Sequence, residues 1–257
     1  MTSWRAICRS PASAGLERCE LSFRPREPVD ADQLAEQHAA YVAALEAAGV
    51  AVELLPSLPG HPDALYVEDT AVVLDEVAVL TRPGAESRRG EIASIETALA
   101  PHRELLRIEA PATLEGGDVL VCGDLVYVGW SGRTNHAGLK LLAHLLLEHG
   151  CTVKAAEVRD CLHLKSAVTR LDDERLLACP SRVNLERVRG MEIVPVPTTE
   201  PDGANVLAVG GRVLCSAAYP RTNELLVSLG YDVLELDLSE LHKMEAAVTC
   251  PSLILRV

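Results

Sequence analysis

The sequence predicts an α/β fold of five repeated modules closed into a ring. Four stretches share one order of parts: strand, tight turn, strand, Arg-containing loop, helix. They open at Glu68-Asp69, Glu115, His163 and near Asn205. A fifth strand opening, Cys250-Pro-Ser-Leu-Ile-Leu, stands at the C-terminal end, whereas the N-terminal segment has a helix and strands but no opening strand of its own. Pairing the two ends would complete the fifth module and remove exposed sheet edges. Repeats that close around an axis bring equivalent positions together.

The elements follow in order. Trp4 to Cys8 reads as a strand, and Pro11, Gly15, Pro25 and Pro28 then exclude a helix until about Ala31. From Ala31 to Ala48 apolar residues fall at helical spacing, with Gly49 as the stop, and Val50 to Leu55 alternates as a strand. Val121-Cys122-Gly123-Asp124-Leu125 and Val209-Gly210-Gly211-Arg212-Val213 read as hairpins with glycine-permitted turns, and Leu171–Arg175 fills the same place in a third module. Helices are expected at Arg89–Leu99, Asn135–Glu148, Val183–Val188 and Thr222–Leu229, the last ended by Gly230. No linker or composition break divides the chain, so residues 1–257 are expected to form a single domain.

Composition narrows the function. With 48% hydrophobic residues but only two Trp, five Tyr and one Phe, the core must be built mainly from Leu, Val and Ala. The formal charge of −13 argues against a phosphate-binding surface and hence against a nucleic-acid partner, and it mildly favours cationic ligands. The eight cysteines form no C-x-x-C, and the N-terminus shows no apolar signal segment, so thiols in a reducing cytoplasm are expected. The longest apolar run, Leu139 to Leu147, is broken by Lys140 and His144 and is too short for a membrane span. No nucleotide-binding glycine motif occurs, and no short-range ligand pair suggests zinc, so neither cofactor nor metal is expected.

Chemically active residue types stand at the module openings. A lone cysteine beside a strand is usually inert core, but Cys250 at a module start becomes a nucleophile if a cation, a base or a cationic substrate supports its thiolate. His163, between two leucines, suits proton transfer near neutrality, although a hydrogen-bonded core histidine is the commoner outcome; His102, His136, His144, His149 and His242 read as solvent-facing. Glu115 precedes two glycines, which permit close approach of backbone or ligand. Glu68 and Asp69, at the start of a Val-rich strand, would point to opposite faces of the sheet. Pairing with arginine or capping a strand end accounts for these acids equally well on pattern alone. Arginine recurs in the loops as Arg88, Arg133, Arg182 and Arg221, which points to a partly structural task. A guanidinium fork can also hold both oxygens of a ligand carboxylate.

The segments PDALYVEDTAVV, TRPGAESRRGE, EGGDVLVCGD, RTN, LHLKS and VTCPS occur here in one order. In that combination the chain resembles the dimethylarginine dimethylaminohydrolases, guanidine-modifying enzymes with a five-bladed α/β propeller of ββαβ modules and pseudo-fivefold symmetry, the pentein fold. The resemblance extends from about residue 31 onward and is weaker in the N-terminal loop. It implies Cys250 as nucleophile, His163 as general acid–base and Glu115 as the carboxylate completing that set. It further implies Asp69 as the grip on the guanidinium with Glu68 beside it, and Arg88 and Arg133 as holders of the substrate α-carboxylate. Asp63 would lie near the α-amino group, and Leu16 would match a lid-loop leucine. The implied partner is a small guanidino amino acid, and the implied reaction is hydrolysis of Nω-methylated arginine to citrulline plus methylamine or dimethylamine. Another guanidine hydrolase, acting on arginine or agmatine, and a non-catalytic propeller that binds a partner stay open as alternatives, as does a homodimer.

Overall fold

The computed structural model describes residues 3–184 and 191–257, and it contains five three-stranded sheets. The first sheet joins the two ends of the chain: β1 (Trp4–Arg9) lies between β2 (Val50–Leu55) and the C-terminal β15 (Ser252–Arg256), with Trp4 opposite Arg256 and Cys8 opposite Ser252. The second holds β3 (Ala71–Val73), β4 (Val77–Leu80) and β5 (Glu104–Arg107), and the third β6 (Val119–Cys122), β7 (Leu125–Trp130) and β8 (Thr152–Glu157). The fourth holds β9 (Val168–Arg170), β10 (Arg175–Ala178) and β11 (Glu192–Pro195), and the fifth β12 (Leu207–Val209), β13 (Arg212–Ser216) and β14 (Asp232–Leu236).

In every sheet the middle strand runs antiparallel to the inner strand and parallel to the outer one. Antiparallel neighbours need only a tight turn, and Gly123, Gly210 and Gly211 supply it with φ of 65°, 60° and 81°. Parallel neighbours need a crossover, usually a helix. Among the described residues four crossovers have one: α1 (Ala31–Ala47), α2 (Ile92–Leu99), α3 (His136–Leu147) and α4 (Pro220–Ser228). Asp30 caps α1 by accepting from Asp32 and Gln33 N–H, and Asn135 caps α3 by accepting from Gly138 N–H. A short helix α5 (Ser239–Lys243), too brief to show periodicity, precedes the Cys250 segment.

Two helix expectations change. Residues Glu86–Glu91 form a 3-10 turn before α2, which sets Arg88 and Glu91 one turn apart and lets them pair. Val183 sits in an isolated antiparallel bridge with Val158, so no helix starts there; most of the remaining expected helix lies outside the described residues.

The apolar interior is divided into seams between neighbouring sheets. Ile7, Ala71, Leu80 and Leu253 join the first and second sheets, and Val72, Val79, Val119 and Val128 the second and third. Leu120, Tyr127, Val168 and Leu176 join the third and fourth, and Leu177, Val194, Val213 and Cys215 the fourth and fifth. Ala6, Cys8, Val209 and Leu214 close the circuit. The inner strands surround a central cavity of about 230 Å³ that touches Val73, Val121, Thr169, Ala208 and Ile254, one residue from each sheet. A ring with its seams between blades leaves one end of the axis free to carry a site.

Candidate active site

The module openings meet at one end of this axis, but as turns rather than strand starts. Glu68 and Asp69 lie inside a 3-10 turn (Val67–Thr70), while Glu115 and His163 directly precede the turns Gly116–Asp118 and Leu164–Ser166. Side-chain alternation across a strand therefore does not apply to Glu68 and Asp69. The turns are tied to one another: Glu68 N–H donates to the Cys250 carbonyl at 3.2 Å. Asn205 donates to the Lys165 carbonyl at 2.9 Å and accepts from Thr249 N–H at 3.0 Å.

The two glycines after Glu115 permit this crowding. A Cβ on Gly116 would collide with the Glu68 carbonyl, and one on Gly117 would lie 2.7 Å from both Asp69 Oδ1 and His163 Nδ1. Gly117 N–H instead donates to Asp69 Oδ1 at 3.0 Å.

At the centre, His163 Nε2 stands 2.7 Å from Glu115 Oε2, and both residues are buried. Glu115 Oε1 accepts from Gly84 N–H at 3.1 Å and lies 3.7 Å from Arg133 Nη1. Asp69 Oδ1 is 3.9 Å from His163 Nδ1, and Asp69 Oδ2 accepts from Arg88 Nη1 at 2.6 Å. Burial works against the His163 cation, but the carboxylates of Asp69, Asp118 and Glu115 outweigh it and lift the ring to about 9. Burial likewise raises Asp69, yet His163 and Arg88 overcome it and bring the carboxyl down to about 2. Glu115 is lowered: burial opposes its charge, and the hydrogen bond and charge of His163 prevail.

Cys250 faces the same cavity, which also touches Glu20, Asp63, Tyr66, Asp69, Arg88, Glu115, Arg133, Leu162, His163, Met244, Glu245 and Ala246. The residue as a whole is half-buried, but desolvation of its sulfur, followed by the charges of Glu68 and Asp69, pushes the thiol far up. A cation entering among these carboxylates reverses that penalty. The cavity measures about 30 Å³, against roughly 300–1,000 Å³ for typical ligand pockets.

The other expected residues divide. Asp63 is buried and accepts from Glu20 N–H through both oxygens at 3.2 Å; desolvation outweighs Arg88 and raises it to about 6. Arg133 is free enough to reach a ligand: apart from Glu115, its Nη2 donates to Ser22 Oγ at 3.1 Å. Arg88 is more committed. It donates to Asp69, to both oxygens of Glu91, and to the carbonyls of Asp63 and Tyr66. Only one Nη1–H stays open, so in this state Arg88 cannot present a two-pronged fork to a carboxylate. Glu68 turns away from the cavity, accepting from Lys165 Nζ and Thr249 Oγ1 at 2.7 Å each. Leu16 is buried in the apolar seam with Leu65, Tyr66 and Met244 and is not among the cavity residues. Among the histidines expected to face solvent, His136 and His144 are exposed, whereas His102, His149 and His242 are half-buried, the last against Tyr219.

Three ligand-type atoms, from Asp69, Glu115 and His163, lie within 4.8 Å of one another. No short-range ligand spacing marks this grouping because each residue comes from a different module, but closure of the repeat predicts that these module openings meet.

Four residues were not found by sequence reasoning. Glu91 neutralises Arg88 from three positions away, a spacing visible in ESRRGE. Lys165 pairs with Glu68 at 2.7 Å. Glu245, with φ of 62°, accepts from Ser22 and Phe23 N–H at 2.6 and 2.7 Å and so holds segment 11–24 over the cavity. Asp118 lies beneath the His163–Glu115 pair. The Tyr66 hydroxyl is buried without a hydrogen-bond partner.

Five ββαβ-type modules closed around acids, a histidine and a cysteine define the pentein α/β propeller. Residues 18–192 match the family described as N,N dimethylarginine dimethylhydrolase, eukaryotic. The N(G),N(G)-dimethylarginine dimethylaminohydrolase of Pseudomonas aeruginosa is 37% identical over 249 residues, covering 96% of this chain and 97% of its own. The protein of that name from Streptomyces coelicolor is 41% identical over 258 residues, covering 100% and 98%. A solved structure of the Pseudomonas aeruginosa enzyme, a cysteine-to-serine mutant complexed with citrulline, superposes with a TM-score of 0.92 at 36% identity and covers 100% of both chains. The chain belongs to the dimethylarginine dimethylaminohydrolase family.

Proposed function

We propose that this chain is a single catalytic domain that hydrolyses Nω-methylated arginines, asymmetric dimethylarginine and monomethylarginine, to citrulline plus dimethylamine or methylamine. The observation that carries the reading is the buried His163–Glu115 pair sharing a carboxylate-lined cavity with Cys250. Asp69, buried and held as a carboxylate, suits a guanidinium, and Glu68 adds negative charge from behind. Arg133, with Arg88 through its one open N–H, suits the α-carboxylate. Asp63, which lines the cavity and holds Glu20 N–H, suits the substrate α-amino group, whereas Leu16 acts by packing within the segment that closes over the cavity.

The guanidinium cation offsets the cost of charging the sulfur, and Cys250 gives up its proton to solvent as substrate enters. An opposite charge at 4 Å contributes about 4 kcal/mol near a protein surface. The thiolate attacks the guanidinium carbon and forms a C–S bond. His163, protonated near neutrality, gives its proton to the departing amine as the C–N bond breaks. A thiouronium on Cys250 remains. Neutral His163 then takes a proton from water, whose oxygen adds to the same carbon; as the C–S bond breaks the hydroxyl proton passes to the departing sulfur, and citrulline leaves with the thiol restored. No cofactor enters this scheme. Eight free thiols support a cytoplasmic setting, and among the described residues no helix is long and apolar enough to cross a membrane.

The test is citrulline release from dimethylarginine, with arginine and agmatine in parallel and Cys250→Ser as control. Turnover of the methylated substrates that is abolished in the variant is expected. Absence of turnover by the unaltered chain would sink the activity, and preference for arginine or agmatine would reassign the substrate.

A further inference from the structure

Asp118 is fully buried beneath the acid–base pair and touches no part of the cavity. Its Oδ1 accepts from Leu164 N–H at 3.0 Å, which fixes the peptide that follows His163. Its Oδ2 accepts from Thr134 Oγ1 at 2.6 Å, and the same hydroxyl accepts from Glu115 N–H at 3.3 Å. A third donor, Ser131 Oγ at 2.5 Å from Oδ2, in turn accepts from Arg133 N–H at 3.0 Å. One carboxylate thus joins the peptide that follows His163 directly and the backbone of Glu115 and Arg133 through one hydroxyl each. Space is reserved for it: a Cβ on Gly129 of β7 would lie 2.7 Å from Asp118 Oδ1.

We infer that Asp118 is the positioning residue of this site, locking the Glu115–His163 pair and Arg133 into one unit before substrate arrives. The inference rests on the guanidine-hydrolase reading above. Buried carboxylates are costly and are retained where their hydrogen bonds are all made, as they are here. A residue in such a network rigidifies the groups it supports, and a catalytic constellation misplaced by about 1 Å loses up to roughly 10²-fold in rate. Asp118 also acts through its charge. The charged groups that face His163 are Asp69 from the Val67–Thr70 turn and Glu115 and Asp118 around the Gly116–Asp118 turn, with Arg88 beyond Asp69. Loss of any one of those negative charges lowers the pH at which the ring gives up its proton.

The experiment follows the His163 ring by NMR across pH in the unaltered chain and in Asp118→Asn, alongside kcat and KM for dimethylarginine. The Asn variant keeps the shape and drops the charge. Its His163 midpoint is expected to fall by about one unit, the alkaline limb of kcat/KM to move with it, and kcat to drop about tenfold. Thr134→Val removes only the hydroxyl that links Asp118 to Glu115; kcat is expected to fall about tenfold with KM within about twofold, and Thr134→Ser to restore it. A folded Asp118→Asn protein with an unmoved His163 midpoint and unaltered kcat overturns the inference, and so does an unaltered kcat in Thr134→Val. If the unaltered chain makes no citrulline while the His163 midpoint still shifts, the activity reading fails and the positioning role stands.

Discussion

His163 Nε2 and Glu115 Oε2 are 2.7 Å apart although 48 positions separate the two residues in the chain. Glu115 occupies one ring nitrogen, so the other, Nδ1, is the one turned towards Asp69 Oδ1 at 3.9 Å. A guanidinium gripped by Asp69 would lie beside the nitrogen that has a proton to give. Assignment of the working nitrogen thus follows from which one is already engaged.

The pH dependence has a definite sign. Relative to 6.5 for the unperturbed ring, His163 is raised to about 9, so its contribution to stability is full below pH 6.5 and is lost as pH rises through about 9. Asp69, at about 2 against 3.8, contributes fully above 3.8 and loses this as pH falls through about 2. Asp63, raised from 3.8 to about 6, favours the fold most at low pH and loses that contribution as pH rises through about 6. Urea unfolding at about pH 7 and about pH 10 should show lower stability at the higher value. The alkaline limb of kcat/KM should fall near pH 9, because the ring must be protonated to release the amine. An unchanged midpoint in urea over that interval would contradict the raised His163.

The two arginines of the cavity should respond differently to lysine. Arg88→Lys leaves Glu91 and two carbonyls without their fork and should cost roughly 3 kcal/mol of stability, read by urea unfolding. Arg133→Lys should unfold normally but raise KM about tenfold for dimethylarginine while leaving any turnover of agmatine, which lacks a carboxylate, little changed. Equal loss for both substrates would remove Arg133 from carboxylate binding.

Glu245 should govern access. Its carboxylate holds Ser22 and Phe23 N–H, while Asp63 holds Glu20 N–H and Arg24 pairs with Asp202 at 3.2 Å. Because the free space is about 30 Å³, segment 11–24 is expected to move as an amino acid enters. Glu245→Ala should speed proteolytic cleavage within that segment and raise KM about threefold to tenfold. Cleavage at the rate of the unaltered chain would show that Glu245 is not the latch.

The fold was largely legible because its cues are local. The strand at Val50–Leu55 has the expected bounds, and the hairpin glycines adopt the left-handed φ their turns require. The C-terminal strand pairs with the first, as the missing opening strand implied. Cues failed where side chains at a distance decide the backbone. Residues 86–91 follow a tighter turn, within which Arg88 reaches Asp69 and Glu91. Glu68 stands in a matching motif and Leu16 in the weaker N-terminal loop, yet an ion pair draws Glu68 to Lys165 and packing carries Leu16 into an apolar seam.

The sequence by itself determined the repeat, the closure of the chain ends and the kinds of reactive group, since periodicity, turn residues and residue chemistry are properties of short segments. Only the tertiary structure decided how closely these groups meet and which further partners each one takes. The 3-10 turns that carry Asp69, Glu115 and His163 to one point, the saturation of Arg88, and the buried carboxylate of Asp118 beneath them depend on distances between modules. Such distances are set by how the seams pack, and no single segment encodes them.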